Sequence, residues 1–236
     1  MVYTKVSIII PAFNEESTIE AVIERVLAVE IPLQKEIIIV NDGSEDKTEQ
    51  NAMRTIERHK NKPDVTFIYR RKSNGGKGSA MKTGYSIATG DILICQDADL
   101  ELFPEDYPTL LKPFFENIEQ KVVYGSRILG GNKMGESAFY FGGRFVSLIT
   151  SLLFGTKLTD QPTGYKIFHK DLIPILIGAQ HNGFEWEAEI TAKILKKKYT
   201  IKEVPIRYQP RKTGKKLQWT DGIKIVWTLF KYKIKA

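Results

Sequence analysis

Continuous apolar runs alternate with helix-period segments along the first hundred residues. "KVSIIIPAF" and "DILICQ" lack the alternating polar positions of a solvated face, so each predicts a strand buried on both sides. "KEIIIVND" and "DVTFIYR" predict two more strands. After the first strand, Ile19, Val22, Ile23, Val26 and Leu27 recur at i, i+3, i+4, i+7 and i+8, the stripe of an amphipathic helix. Ser17 and Glu20 have capping-box spacing at its start. "SEDKTEQNAMRTIERHK" predicts a more polar helix, and "SAMKTGYSIA" a third, reached through the flexible loop "NGGKG". Strands and helices alternating in this way imply a mainly parallel, Rossmann-like α/β sheet with helices on both faces.

The second half is less regular. "EDYPTLLKPFFENIEQ" predicts a helix interrupted at Pro108 and Pro113. "KVVYGSR", "TGYKIFHK" and "TIKEVPIRY" read as extended segments, and "GGRFVSLITSLLFG", "EWEAEITAKILKKK" and "WTDGIKIVWTLFKYK" as helices. With no internal repeat, low-complexity tract or linker, residues 1–236 form one compact domain. A chain of 236 residues, 42% of them hydrophobic, can bury a substantial core.

The single cysteine, Cys95, excludes an internal disulfide, and its place in a strand-like run fits a buried thiol in a reducing compartment. The N-terminus lacks the signal-peptide pattern, and the apolar stretch from Phe145 to Phe154 is half the ~20 residues that span a bilayer. A net charge of +7, concentrated in "KILKKKY", "PRKTGKK" and "KYKIKA", points to an anionic partner. Nucleic acid is not that partner, because no binding motif for it is present and the acids gather at strand ends.

Those strand ends carry the candidate chemistry. In an open parallel sheet, ligands bind beyond the carboxyl ends of the strands. Here the ends read "PAFNEE", "NDGSED", "RRKSNGGKG" and "DADLE", polar loops behind apolar strands that the topology gathers into one site. Asp97 and Asp99 offer hard oxygen ligands for Mg²⁺ or Mn²⁺, or else form an acidic turn before the next helix. "NGGKG" is no P-loop, since the Gly four residues before Gly76-Lys77 is missing. Either it is a flexible turn or it turns Lys77 and the amides near Gly78 toward phosphate oxygens. Asp42, in "NDGS", either begins a plain turn or accepts from the ring N–H of a base.

"SIIIPAFNEE", "IIIVNDGSEDKT", "NGGKGSAMKTG", "DADL", "YGSR" and "PTGYK", in that order, resemble the family 2 glycosyltransferases with the GT-A fold. The resemblance runs from Val6 to about Lys231 and leans toward the dolichyl- or polyprenyl-phosphate sugar transferases. It implies a nucleoside pocket of Pro11, Ala12, Glu15 and Asp42, and a phosphate-side loop at Lys77 and Gly78. It implies a metal and the donor diphosphate at Asp97, Ala98 and Asp99, with Glu101 as a further ligand. Arg127 and Arg144 would stand near the diphosphate and the acceptor phosphate, and Arg211 and Lys216 would close over the nucleotide. "PRKTGKKL" is one residue shorter than the R-x-x-G-x-S-K of relatives and lacks the Ser, which leaves the register of Lys215 and Lys216 open.

The implied reaction is an inverting, Mg²⁺- or Mn²⁺-dependent transfer of a hexose from a GDP- or UDP-sugar to a polyprenyl phosphate. A lipid phosphate is already ionised and attacks unaided. A sugar hydroxyl, the alternative acceptor, needs a carboxylate base such as Asp160, Glu185, Glu187 or Glu189. At least two of the three glutamates in "EWEAE" read as a solvated helix face. A nucleotidyltransferase would show a Gly-rich signature where "PAFNEE" stands. Residues 1–100 are expected to hold the nucleotide and 101–218 the acceptor. The segment 219–236 places Trp219, Ile223, Val226, Trp227 and Phe230 among Lys224, Lys231, Lys233 and Lys235, a pattern suited to an anionic membrane surface. "GGRFVSLITSLLFG" is apolar enough for a core helix or for lipid contact. Relatives often continue into transmembrane helices, so the expectation for this chain is a peripheral enzyme on the cytoplasmic membrane face.

Overall fold

Each apolar run of the first half becomes a strand because its residues alternate between two cores. The computed structural model describes residues 3–132, 138–211 and 219–234. Strands β1 (Lys5–Ala12), β2 (Gln34–Asn41), β3 (Val65–Arg71) and β4 (Ile92–Cys95) pair in parallel. Ile8, Ile10, Ile37, Ile39, Ile92 and Ile94 enter one core, while Ile9, Ile38, Val40, Leu93 and Cys95 enter the other. Helices α1 (Ile19–Ala28), α2 (Thr48–His59) and α4 (Tyr107–Glu116) cover the first core. Helices α3 (Lys77–Ile87), α6 (Ile173–Ile177) and α7 (Glu185–Lys196) cover the second.

Three later strands, β5 (Val122–Ser126), β6 (Lys166–His169) and β7 (Ile201–Pro205), complete a seven-stranded sheet ordered β3-β2-β1-β4-β6-β5-β7. Only β6 runs antiparallel to its neighbours. Its reversal brings the segment that precedes it, Asp160 to Tyr165, to the edge where the other strands end.

The remaining helices, α5 (Ala138–Phe154) and α8 (Trp219–Ile234), form a third layer outside α7. Val146, Ile225, Leu229 and Tyr232 bury themselves against Ala188 and Ala192 of α7. Each fully buried side chain of this size contributes about 1.5–3 kcal/mol. The opposite rows stay exposed: Phe141, Phe145, Leu148 and Leu152 on α5, and Ile223, Trp227, Phe230 and Ile234 on α8.

Several local expectations are corrected. The capping box does not form: the N-cap is Thr18, Ser17 lies outside the helix, and Glu20 instead pairs with Arg54 and Arg58 of α2. Pro108 opens α4 rather than interrupting it, since the first helical turn needs no amide donor there, and α4 continues through Pro113. Val226 packs toward the third-layer core, so it does not belong to the outer row of α8. Helix α6 has no counterpart in the sequence reading.

Candidate active site

The trailing ends of β1, β2, β4 and β5, the Asp160–Tyr165 segment and the start of α3 surround a cavity of about 1280 Å³. Pro11, Ala12, Glu15, Asp42, Lys77, Asp97, Ala98, Asp99, Glu101, Arg127 and Arg211 all line it. Five sequence candidates, Gly78, Arg144, Asp160, Glu185 and Glu189, stand off its wall. Gly78 faces Trp186, Asp160 sits behind Arg127, and Arg144 lies on the exposed side of α5 between the lining residues Gly143 and Phe145. Lys216 falls outside the described residues.

The acidic loop is held from below. Gln96, fully buried, donates through Nε2 to the Asp97 carbonyl (2.9 Å), and its Oε1 accepts from the Tyr107 and Tyr165 hydroxyls, each at 2.8 Å. Leu100 takes a positive φ of 62°, which lets Asp99 Oδ1 accept the Glu101 amide at 3.1 Å. Gly164 packs so closely on Asp97 that a side chain at that position would overlap the carboxylate. Glu101 anchors the segment above: Oε1 accepts the Arg211 amide (2.8 Å) and Oε2 the Tyr208 hydroxyl (2.9 Å). The Arg211 guanidinium reaches to 3.4 Å from Asp99 and 3.5 Å from Glu15.

Burial, then the charges of Asp97 and Glu101, push the Asp99 carboxyl up to about 6. Asp97 and Glu101 crowd Asp99 with more negative charge than Arg211, at 3.4 Å, offsets, and hard oxygens so clustered fit a divalent cation. Among the described residues, no three Asp, Glu, His or Cys side chains converge closely enough to hold an ion by themselves. Asp97 and Asp99 could therefore hold a divalent ion together with ligands from outside the protein.

The lysine of "NGGKG" is built into the wall. Gly76, at φ 91°, supplies a left-handed turn, so Lys77 opens α3. Its ammonium lies 2.7 Å from Asp97 and 2.9 Å from Glu187, and Glu187 also lies 2.9 Å from Lys166. Burial alone would raise Glu187, but Lys166 and Lys77 hold it down at about 2. Burial likewise opposes the Lys77 charge, yet Asp97 and Glu187 keep it well above the usual lysine range. Asp42 ties the same loop from the other side. It accepts the amides of Gly75 (3.0 Å) and Gly76 (2.7 Å) and the Lys72 ammonium (2.7 Å).

Across the cavity, Arg127 and Asp160 form a bidentate pair at 2.8 and 2.7 Å, and the Arg127 amide adds a third bond at 2.9 Å. Glu203 accepts the Asp160 amide from behind, and the Tyr208 ring lies 5.0 Å from the guanidinium. Burial disfavours the Arg127 charge, but Asp160 more than offsets it.

Residues 7–174 match the family described as Glycosyl transferase family 2. The chain belongs to this family. It is 26% identical to a dolichyl-phosphate beta-glucosyltransferase of Trichomonas vaginalis, covering 97% of this chain and 73% of that one. It is 30% identical to the dolichol-phosphate mannosyltransferase of Pyrococcus furiosus, covering 89% of this chain and 58% of the archaeal protein. A crystal structure of glucosyl-3-phosphoglycerate synthase from Mycobacterium tuberculosis, with Mn²⁺, UDP-glucose and phosphoglyceric acid, superposes with a TM-score of 0.71. That match is 20% identical and covers 98% of this chain and 80% of the other. The architecture is accordingly the GT-A fold, and the protein is a family 2 glycosyltransferase.

Some parts of this family 2 site escape a sequence reading. Glu187 and Glu189 are not a solvated face, which corrects that expectation: Glu187 lines the cavity, and Glu189 is fully buried on Lys193 and the amides of Gln180 and His181. One signal was available for Glu187. It precedes the core residues Ile190 and Ile194 by three and seven positions, which places it on the inward stripe of α7. Gln96, Lys166 and Tyr208 carry no such signal, since each is recruited across long stretches of chain.

Proposed function

We propose that this glycosyltransferase moves a hexose, with inversion, from a GDP- or UDP-sugar to a polyprenyl phosphate, and that Asp97 and Asp99 hold Mg²⁺ or Mn²⁺. One observation carries the choice of acceptor: the carboxylates that could serve a hydroxyl acceptor as base are engaged or displaced. Asp160 is bidentate to Arg127, Glu187 lies between two lysines, Glu189 is buried beneath Lys193, and Glu185 is not on the cavity wall. A nucleophile that is already an anion fits a site where these four carboxylates are so engaged or displaced.

In this reading, residues 1–100 bind the donor through Pro11, Ala12, Glu15 and Asp42, and the following part of the chain receives the acceptor. When bound, the divalent ion supplies Lewis-acid stabilisation of the leaving diphosphate. Lys77, Arg127 and Arg211 line the same cavity and add fixed positive charge where negative charge grows. Arg127 is preorganised for this by Asp160 and Tyr208.

The lipid part of the acceptor has a matching surface. Phe145 and Ile223 line the cavity and also belong to the exposed rows of α5 and α8, where Leu152 is 71% and Trp227 70% exposed. Among the described residues no helix is long and apolar enough to cross a membrane, and these rows, beside Lys224, Lys231 and Lys233, suit contact with an anionic membrane surface. The test is transfer from labelled GDP- and UDP-hexoses, with Mn²⁺, to polyprenyl phosphate. Label entering the organic phase is expected; label that moves only to a glycan acceptor overturns the reading.

A further inference from the structure

The Lys77 ammonium stands between two carboxylates of different standing. Asp97, at 2.7 Å, is one of the two carboxylates proposed to hold the cation; Glu187, at 2.9 Å, reaches the same cavity from α7 and is not one of them. Glu187 is itself anchored from behind. Its second oxygen lies 2.9 Å from Nζ of Lys166, a side chain only 2% exposed that also donates to the Thr163 carbonyl and lies over the Tyr124 ring. The four side chains alternate in sign from the cavity wall into the interior.

We propose that Glu187 and Lys166 are positioning residues that keep the Lys77 ammonium at the cavity wall when Asp97 turns to a divalent cation. The proposal rests on the donor reading above. A cation on Asp97 removes one acceptor of Lys77 and repels the ammonium. A lysine on a flexible four-carbon stem would then leave the wall, whereas Glu187 retains it within reach of the diphosphate. Lys166 makes that retention partial. By taking one Glu187 oxygen it leaves the other to hold Lys77 without drawing it into the interior. Both Glu187 oxygens are engaged, so its role is distinct from proton transfer.

The experiment titrates UDP and GDP calorimetrically into wild type and variants, each with and without Mn²⁺. Wild type is expected to bind one nucleotide more tightly with Mn²⁺. Glu187→Gln is expected to match wild type within about twofold without Mn²⁺ and to lose about tenfold with it. In a Lys77→Met background the same change is expected to cost nothing further, because the residue it positions is gone. Glu187→Gln leaves Lys166 buried without its acid, so Glu187→Gln combined with Lys166→Met, which removes both charges, is measured in parallel and is expected to show the same Mn²⁺-dependent loss. Equal losses with and without Mn²⁺, or a loss undiminished in the Lys77→Met background, overturn the proposal while leaving the donor reading intact. Wild type that binds neither nucleotide with Mn²⁺ overturns the donor reading and this proposal with it.

Discussion

Replacing Asp160 with Asn separates a positioning carboxylate from a catalytic base. Asp160 accepts three bonds from Arg127, at 2.7, 2.8 and 2.9 Å, and is almost fully buried. Removing one partner of a buried ion pair costs about 3–5 kcal/mol. The Asn oxygen keeps one acceptor, so the low end, about 3 kcal/mol, applies. In a chain of this length each kcal/mol moves Tm by about 2–4 °C, which gives a fall of about 6–12 °C. Circular dichroism melts measure this directly, and transfer to polyprenyl phosphate is assayed well below both midpoints. A loosened Arg127 moves its positive charge off the leaving diphosphate and should cost about 100-fold in transfer. A lost general base would instead cost up to about 10⁴-fold with an unchanged melt. A Tm within about 2 °C of wild type, together with the larger loss, would refute the positioning argument.

Three further outcomes are expected. Asp99→Ala should abolish transfer while leaving the fold intact, and wild-type transfer that survives a chelator would falsify the metal assignment. Glu189 is held at about 2, although burial alone would raise it, by Lys193 and by the His181 and Gln180 amides. A folded value below the unfolded one gives stability that is complete above about pH 4.5 and lost as pH falls toward 2, so the gap of about 2–3 kcal/mol between wild type and Glu189→Gln in urea melts at pH 7 should close near pH 2; a constant gap refutes it. Leu152→Glu with Trp227→Glu should reduce co-sedimentation with phosphatidylserine vesicles at least about tenfold, and unchanged sedimentation removes the membrane-facing role of α5 and α8.

The legible parts of this molecule were those whose physics is local. Continuous apolar runs marked the strands and a 3.6-residue period marked α1, because a run such as Ile8 to Ile10 and the spacing of Ile19 to Leu27 are visible within a few residues. The acids at the end of β4 were legible for the same reason: an apolar run that stops at Asp97 places that residue at the sheet edge. What escaped depends on partners distant in sequence. Asp42 reads as a base contact, but nothing near it in sequence shows that the Gly75 and Gly76 amides also fasten its oxygens to the neighbouring loop. Glu101 reads either as a third ligand or as the start of a helix, and its bonds to Tyr208 and Arg211, more than a hundred positions away, are invisible in the sequence. Helix α6 is five residues long, with only Leu176 buried, and too short to display a period.

The reversed direction of β6 also sets an order of events for the growing chain. Strand β4 is four residues long and fully buried, with β1 on one side and β6 on the other. When residues 92–95 leave the ribosome, residues 166–169 have not been made, and β4 waits with one apolar edge open. At about 5–20 residues per second that interval lasts roughly 4–14 s. An exposed strand edge invites pairing with another chain. The first hundred residues carry most of the proposed donor residues, yet their last strand becomes interior only when residues 166–169 insert β6 beside it.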